Sequence, residues 1–147
     1  MRPFAALLLM ALCLTGCSHH SPPPAGRWEG TYEASDTMIA ARLEIDAKAN
    51  IYVSAPDAEN FSPDADARAA IRKSLAQGLA AGWGDVQPRN FEFDGKVFRK
   101  PGGVAPQIEW DPGSNAMTLV VYLGMRDGIR VPLHPVKEFS DDPWPAN

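Results

Sequence analysis

The stretch Ala41-Arg42-Leu43-Glu44-Ile45-Asp46-Ala47-Lys48-Ala49-Asn50-Ile51-Tyr52-Val53 reads as two strands around a turn. Ala41, Leu43 and Ile45 alternate with Arg42, Glu44 and Asp46. A half-buried strand imposes this period of two, because successive side chains point to opposite faces. Asp46 to Asn50 supplies turn residues, and Ile51-Tyr52-Val53 returns with β-branched and aromatic side chains that suit a pleated surface. Just upstream, Trp28-Glu29-Gly30-Thr31-Tyr32 alternates large aromatic with polar or small residues. Gly26 to Ser54 therefore reads as the opening of an antiparallel meander.

Working downstream, Ser62-Pro63-Asp64 predicts a helix start, with Ser62 as N-cap, Pro63 in the first helical position and an acid in the first turn. The helix is expected to run to about Ala81. Ile71, Leu75, Leu79 and Trp83 form one apolar stripe at fourfold spacing, so the helix should lie on a sheet. Gly78 shares that side, which suggests close approach to the sheet. Arg68, Arg72 and Lys73 fall elsewhere and read as a solvated face, with an anionic partner as the alternative. From Asn90 strands resume. Asp94-Gly95 between apolar runs predicts a two-residue hairpin that pairs Phe93 with Lys96 and Phe91 with Phe98, placing Phe91, Phe93 and Phe98 on one face. Gln107 to Trp110, Ala116 to Leu123 and Ile129 to Leu133 read as further strands, and Pro132, which cannot donate to a ladder, suggests that the last is an edge. The expectation is an α+β fold: an antiparallel sheet of about eight strands, open or curled into a barrel-like form, with one mid-chain helix packed on it.

The chain has 147 residues, two cysteines and a net charge of −4. An acidic chain without a basic cluster argues against nucleic acid as a partner. Residues 26–137 read as one globular α+β domain. The acidic, proline-rich stretch 138–147 reads as a loosely held tail.

The first residues read as a targeting segment. Arg2 is the positive start, and Ala5 to Leu14 is apolar but about half the ~20 residues that a spanning helix needs. Leu14-Thr15-Gly16-Cys17 resembles the lipobox of bacterial lipoproteins. The resemblance implies that residues 1–16 are a signal peptide, that diacylglycerol is attached to Cys17, and that cleavage falls before it. It also implies palmitate-like acyl chains. Ser18, in place of the Asp that favours inner-membrane retention in Gram-negative lipoproteins, implies an outer-membrane anchor; the domain is expected to face the periplasm, with exposure at the cell surface as the open alternative. Residues 17–25 would then be a lipidated tether, held extended by Pro22, Pro23 and Pro24. Removing 16 of 147 residues leaves 131, and loss of Arg2 takes the net charge from −4 to −5. Cys13 would leave with the signal and Cys17 would be consumed by lipid, so no disulfide, cysteine nucleophile or cysteine metal site is expected. With a free amine, His19 in the third position could chelate Cu(II); acylation of that amine removes its lone pair and favours a plain solvated tether.

Gly26-Arg27-Trp28, followed by Gly30 and Tyr32, resembles the first-strand Gly-x-Trp of lipocalin-like barrels. That resemblance implies that Trp28 closes the bottom of a barrel around an apolar ligand. The plainer reading is a Trp packed under the helix. Trp28, Tyr32, Phe91, Phe93, Phe98 and Trp110 are the candidates for ligand or partner binding, with Tyr122 beside them. In a curled sheet they could line an apolar pocket; on an open one they could offer an exposed aromatic patch. His134 is the one histidine of the domain. A hydrolase would need it near Asp85, Asp127 or Glu109 and near Ser114 or Ser140, but no spacing links them and no Gly-x-Ser-x-Gly elbow is present. No catalytic residue, metal site or cofactor is therefore assigned. The expected function is a membrane-anchored envelope lipoprotein serving as a non-enzymatic binding or protein-interaction module. Carriage of an apolar small molecule or lipid is the alternative, and a hydrolase centred on His134 a further one.

Overall fold

The computed structural model describes residues 21–34, 36–59, 64–83, 90–102, 107–124 and 127–145. Its strands are β1 (Gly26–Ala34), β2 (Thr37–Ile45), β3 (Ile51–Ser54), β4 (Asp57–Glu59), β5 (Glu92–Phe93), β6 (Val97–Arg99), β7 (Gln107–Asp111), β8 (Ala116–Val121) and β9 (Ile129–Val136), with helix α1 (Ala65–Ala80) between β4 and β5. All pairings are antiparallel, in the order β3-β2-β1-β9-β8-β7-β6-β5. β3 and β4 form one line. Arg42 pairs with Ser54 and Ile39 with Asp57 in unbroken register along β2. The break falls at Pro56, which lacks an N–H yet still accepts from Ala40 N at 3.1 Å. Counted that way, eight strands make a curled, half-barrel sheet with one helix, the α+β architecture that the alternation predicts.

The curl follows from one distance. β1 and β7 stand three strands apart, about 14 Å on a flat sheet. Yet the rings of Trp28 and Trp110 meet edge to face with centroids 6.3 Å apart. The inner face gathers a single core from both arms of the sheet, including Ile39, Leu43, Val53, Phe98, Ile108, Met117, Leu119, Val131 and Leu133. Helix α1 lies on the outer face, where Leu75 and Leu79 pack on Met38 and Ala40.

The helix N-cap is Asp64, whose carboxylate accepts from Ala67 N at 3.1 Å; Ser62 and Pro63 lie outside the described residues. Gly78 does not approach the sheet: it is exposed, and the buried small residue of the helix is Ala76. The hairpin turns about Gly95-Lys96, with Phe93 opposite Phe98. The Asp94 carboxylate accepts from Lys96 N and Val97 N, and Gly95 takes a φ of 94° at the first central position, which favours glycine. A shift of two leaves every side chain on its predicted face. β9 is central, not an edge. Residues 129–133 pair with β8 and residues 134–136 with β1, so Pro132 precedes the β1 ladder and loses no bond there. Residues 138–145, read from sequence as a loose tail, are seated on the outer face: Pro143 is buried and Trp144 packs on α1.

Candidate functional site

The six aromatic candidates come together on the inner face. Trp28, Phe98 and Trp110 belong to the buried cluster, and Tyr32, Phe91 and Phe93 pack against it half-buried. Trp28 is 2% exposed and its Nε1 donates to Asn115 O at 3.1 Å across the curl. It therefore lies inside the curl, not under the helix. Gly26 belongs to the same feature, since a Cβ there would stand 2.8 Å from the Trp28 ring. Phe93 and Phe98 pack at 4.6 Å. Of two described cavities, one is walled in part by Trp110, and neither is lined by Phe91, Phe93 or Phe98.

The outer face carries a feature that sequence reading missed. Along β1 and β2, Arg27 stands opposite Glu44 and Glu29 opposite Arg42. Opposite charges facing each other on one side of a ladder attract. Arg27 and Glu44 approach to 3.5 Å, and Arg42 Nε lies 3.9 Å from Glu29 Oε2. Glu29 and Arg42 are 2% and 7% exposed, rare for charged groups that lack further partners. Both find those partners. Arg42 donates to Leu79 O at 2.9 Å, satisfying a carbonyl at the helix end, and to Ser140 O. Glu29 accepts from Ser140 N at 3.0 Å and from Ser140 Oγ. Burial lowers the Arg42 pKa, opposed by the nearby Glu29 and Asp141 carboxylates. Phe139 lies in a cage, with the Arg42 guanidinium 4.9 Å from its ring centre, that of Arg27 at 5.8 Å and the Trp83 ring at 5.8 Å. Trp83 in turn donates to Glu44 at 3.1 Å and stacks near Tyr52. The second cavity, about 30 Å³, opens here between Arg42, Ser54, Leu79, Gly82, Trp83 and Phe139.

Arg68 and Arg72 do not form a free basic face. Both reach Glu33 on β1, at 3.1 and 2.7 Å, while Lys73 is exposed. The larger cavity, about 350 Å³, is an open groove of mixed lining, polar at Lys96, Glu109, Asp111 and Ser114 and apolar at Trp110 and Pro112. Its carboxylates are already engaged: Glu109 accepts from Arg130 at 2.8 Å, which lowers the Glu109 pKa, and Asp111 accepts from Gly113 N and Ser114 Oγ.

Of the residues in the hydrolase reading, His134 stands opposite Glu29 in the β1–β9 ladder, and Ser140 Oγ donates to that same Glu29, which is not one of the carboxylates named from sequence. His134 is exposed, Ser114 Oγ donates to Asp111, and Asp127 is exposed. Asp85 lies outside the described residues, as do Cys17, His19 and His20. Among the described residues no group of three His, Cys, Asp or Glu side chains is placed to hold a metal ion. No described helix is long and apolar enough to cross a membrane.

No family model matches the chain, and no curated protein or solved structure matches it.

Proposed function

We propose that this chain is an envelope lipoprotein, anchored through lipid on Cys17, whose single α+β domain serves as a non-enzymatic protein-interaction module. The anchor rests on Leu14-Thr15-Gly16-Cys17 behind a short apolar run and before a proline-rich tether. Two or three acyl chains hold a protein at a membrane where one alone is marginal. The interaction reading rests on one observation above all. The inner face of the curl, where a carrier would hold its ligand, is occupied by the packed Trp28–Trp110 core. A preformed site for a small apolar ligand is usually a cleft of about 300–1,000 Å³ that buries most of its ligand, whereas the described cavity of that size is an open groove of mixed lining, with the charged groups of Lys96, Glu109 and Asp111 in its wall.

Two measurements test this in the native host. An alkyne analogue of palmitate should label the wild-type chain and leave Cys17→Ser unlabelled; equal labelling of both would refute the anchor. Photo-crosslinkers at exposed positions of the domain should then give a discrete protein adduct, and the reading fails if adducts form only with lipid.

A further inference from the structure

We infer that the outer face of β1 and β2, with the end of α1, is a groove for an extended peptide, that residues 138–145 fill it in cis, and that its occupant in trans is the same segment of a second copy. This rests on the interaction-module reading and names the partner.

The contacts are those of sequence-reading recognition rather than of a sealed core. All three polar atoms of Ser140 are held by the two buried charges: N and Oγ donate to Glu29, and O accepts from Arg42. Phe139 occupies the cage of Arg27, Arg42 and Trp83. Five residues on, Trp144 donates to Arg72 O at 3.3 Å, with the Arg72 guanidinium 5.4 Å from its ring centre. Asp141 and Asp142 between them are exposed. The groove thus reads aromatic–Ser–acid–acid–Pro–aromatic through two anchors and a charged clamp.

The segment is also poised to leave. It follows β9 and belongs to no strand, so lifting it breaks no ladder. A cavity of about 30 Å³ remains between Phe139 of the segment and Arg42, Ser54, Leu79, Gly82 and Trp83, so the two surfaces meet with a gap. Arg42 Nε is buried and donates no hydrogen bond. Replacing a buried ion pair by apolar residues is often neutral or stabilising, so stability alone does not explain one here. Lifting the strap returns both charges to water instead of stranding them. The chain itself carries the matching sequence. Exchange between copies repeats the cis contacts, with Lys137 and Glu138 exposed at the hinge. Anchored copies sharing one membrane surface would meet at raised effective concentration.

The test uses the chain from Ser18 onward, which keeps every described residue. A fluorescent peptide of residues 137–147 should bind a strap-weakened Ser140→Ala/Trp144→Ala chain at least tenfold more tightly than wild type, and Glu29→Gln in that background should abolish binding. No binding by a strap-weakened chain of native circular dichroism would overturn the proposal. Should that variant not fold, amide exchange of the wild type decides: the Ser140 amide should exchange at least a hundredfold faster than β1 amides, and equal rates would overturn it. Two mass-tagged wild-type chains, mixed and concentrated, should give mixed dimers that Glu29→Gln removes. Peptide binding without mixed dimers would overturn the second copy as occupant and assign the groove to a segment of another protein. Crosslinking in cells remains a separate test of the interaction module itself.

Discussion

Glu29 on β1 and Arg42 on β2 face each other across the ladder, and both hydrogen-bond a single third residue, Ser140. Nothing in the alternation of these strands distinguishes the pair from ordinary solvent-facing charges. What buries it is a segment about a hundred residues away in sequence.

Truncating one partner measures how that burial is held. Removing one member of a sealed buried pair costs about 3–5 kcal/mol. Here the strap can lift and rehydrate the remaining charge, so Glu29→Ala should cost about 1–3 kcal/mol, the range for a lost buried hydrogen-bond partner. A Glu29→Leu/Arg42→Met double variant should recover most of that loss. Urea unfolding of the four members of the cycle checks this. A loss above about 3 kcal/mol would show a sealed pair.

Two glycines should respond with opposite signs. Gly30 lies where β1 crosses β9, and a Cβ there would stand 2.0 Å from Pro132 O, a backbone atom. Gly30→Ala must push the two strands apart, at a cost of about 1–3 kcal/mol or more. Gly78 is exposed in mid-helix, and its added Cβ would meet Pro56 at an ordinary 3.8 Å. Gly78→Ala should therefore stabilise the domain by about 0.5–1 kcal/mol. Thermal unfolding of both variants decides, and a stabilising Gly30→Ala would contradict the close approach.

The inner core should depend on Trp28. Its ring is buried against Trp110, and its Nε1 joins β1 to the turn before β8. Trp28→Ala should cost about 3–5 kcal/mol, and Trp28→Phe less, since most of the ring stays. Near-ultraviolet circular dichroism and urea unfolding would show both effects; a loss below about 1 kcal/mol for Trp28→Ala would mean that the curl is held elsewhere.

The Asp46 turn predicts a pH dependence. The Asp46 carboxylate accepts from Asn50 Nδ2 at 2.8 Å, Asn50 N at 2.9 Å and Lys48 N at 2.8 Å, and these bonds, led by the Asn50 side chain, hold its pKa below the ordinary value. A depressed folded pKa contributes stability that is present above the unfolded value of about 3.9 and lost as pH falls through the folded one. The Tm gap between wild type and Asp46→Asn should thus be constant above about pH 5 and narrow in acid. A gap that does not change with pH would remove the carboxylate from the account.

How far the sequence carried is clear from particular residues. Ala41, Leu43 and Ile45 marked β2 and its inner face, because period-two burial is local and strongly written, whereas the aromatic set, read as candidate binding residues, lies in or against the core. Register at Asp94-Gly95 slipped by two, because the side chain of Asp94 and the positive φ of Gly95 together choose the turn. Pro132 misled, because a central strand can pair its two neighbours with different halves. The Glu29–Arg42 clamp was not legible, since only tertiary contact buries it. Its one hint was the pair of aromatics, Phe139 and Trp144, in a tail otherwise suited to solvent.

The most direct test of a packed module against a carrier is native mass spectrometry of the chain from Ser18 onward, expressed in the periplasm without its lipid. The account predicts only masses of the polypeptide itself, as single copies or strap-exchanged pairs. A reproducible extra mass of a few hundred daltons, displaced when Phe98 or Trp110 is altered, would contradict it and place a ligand inside the curl.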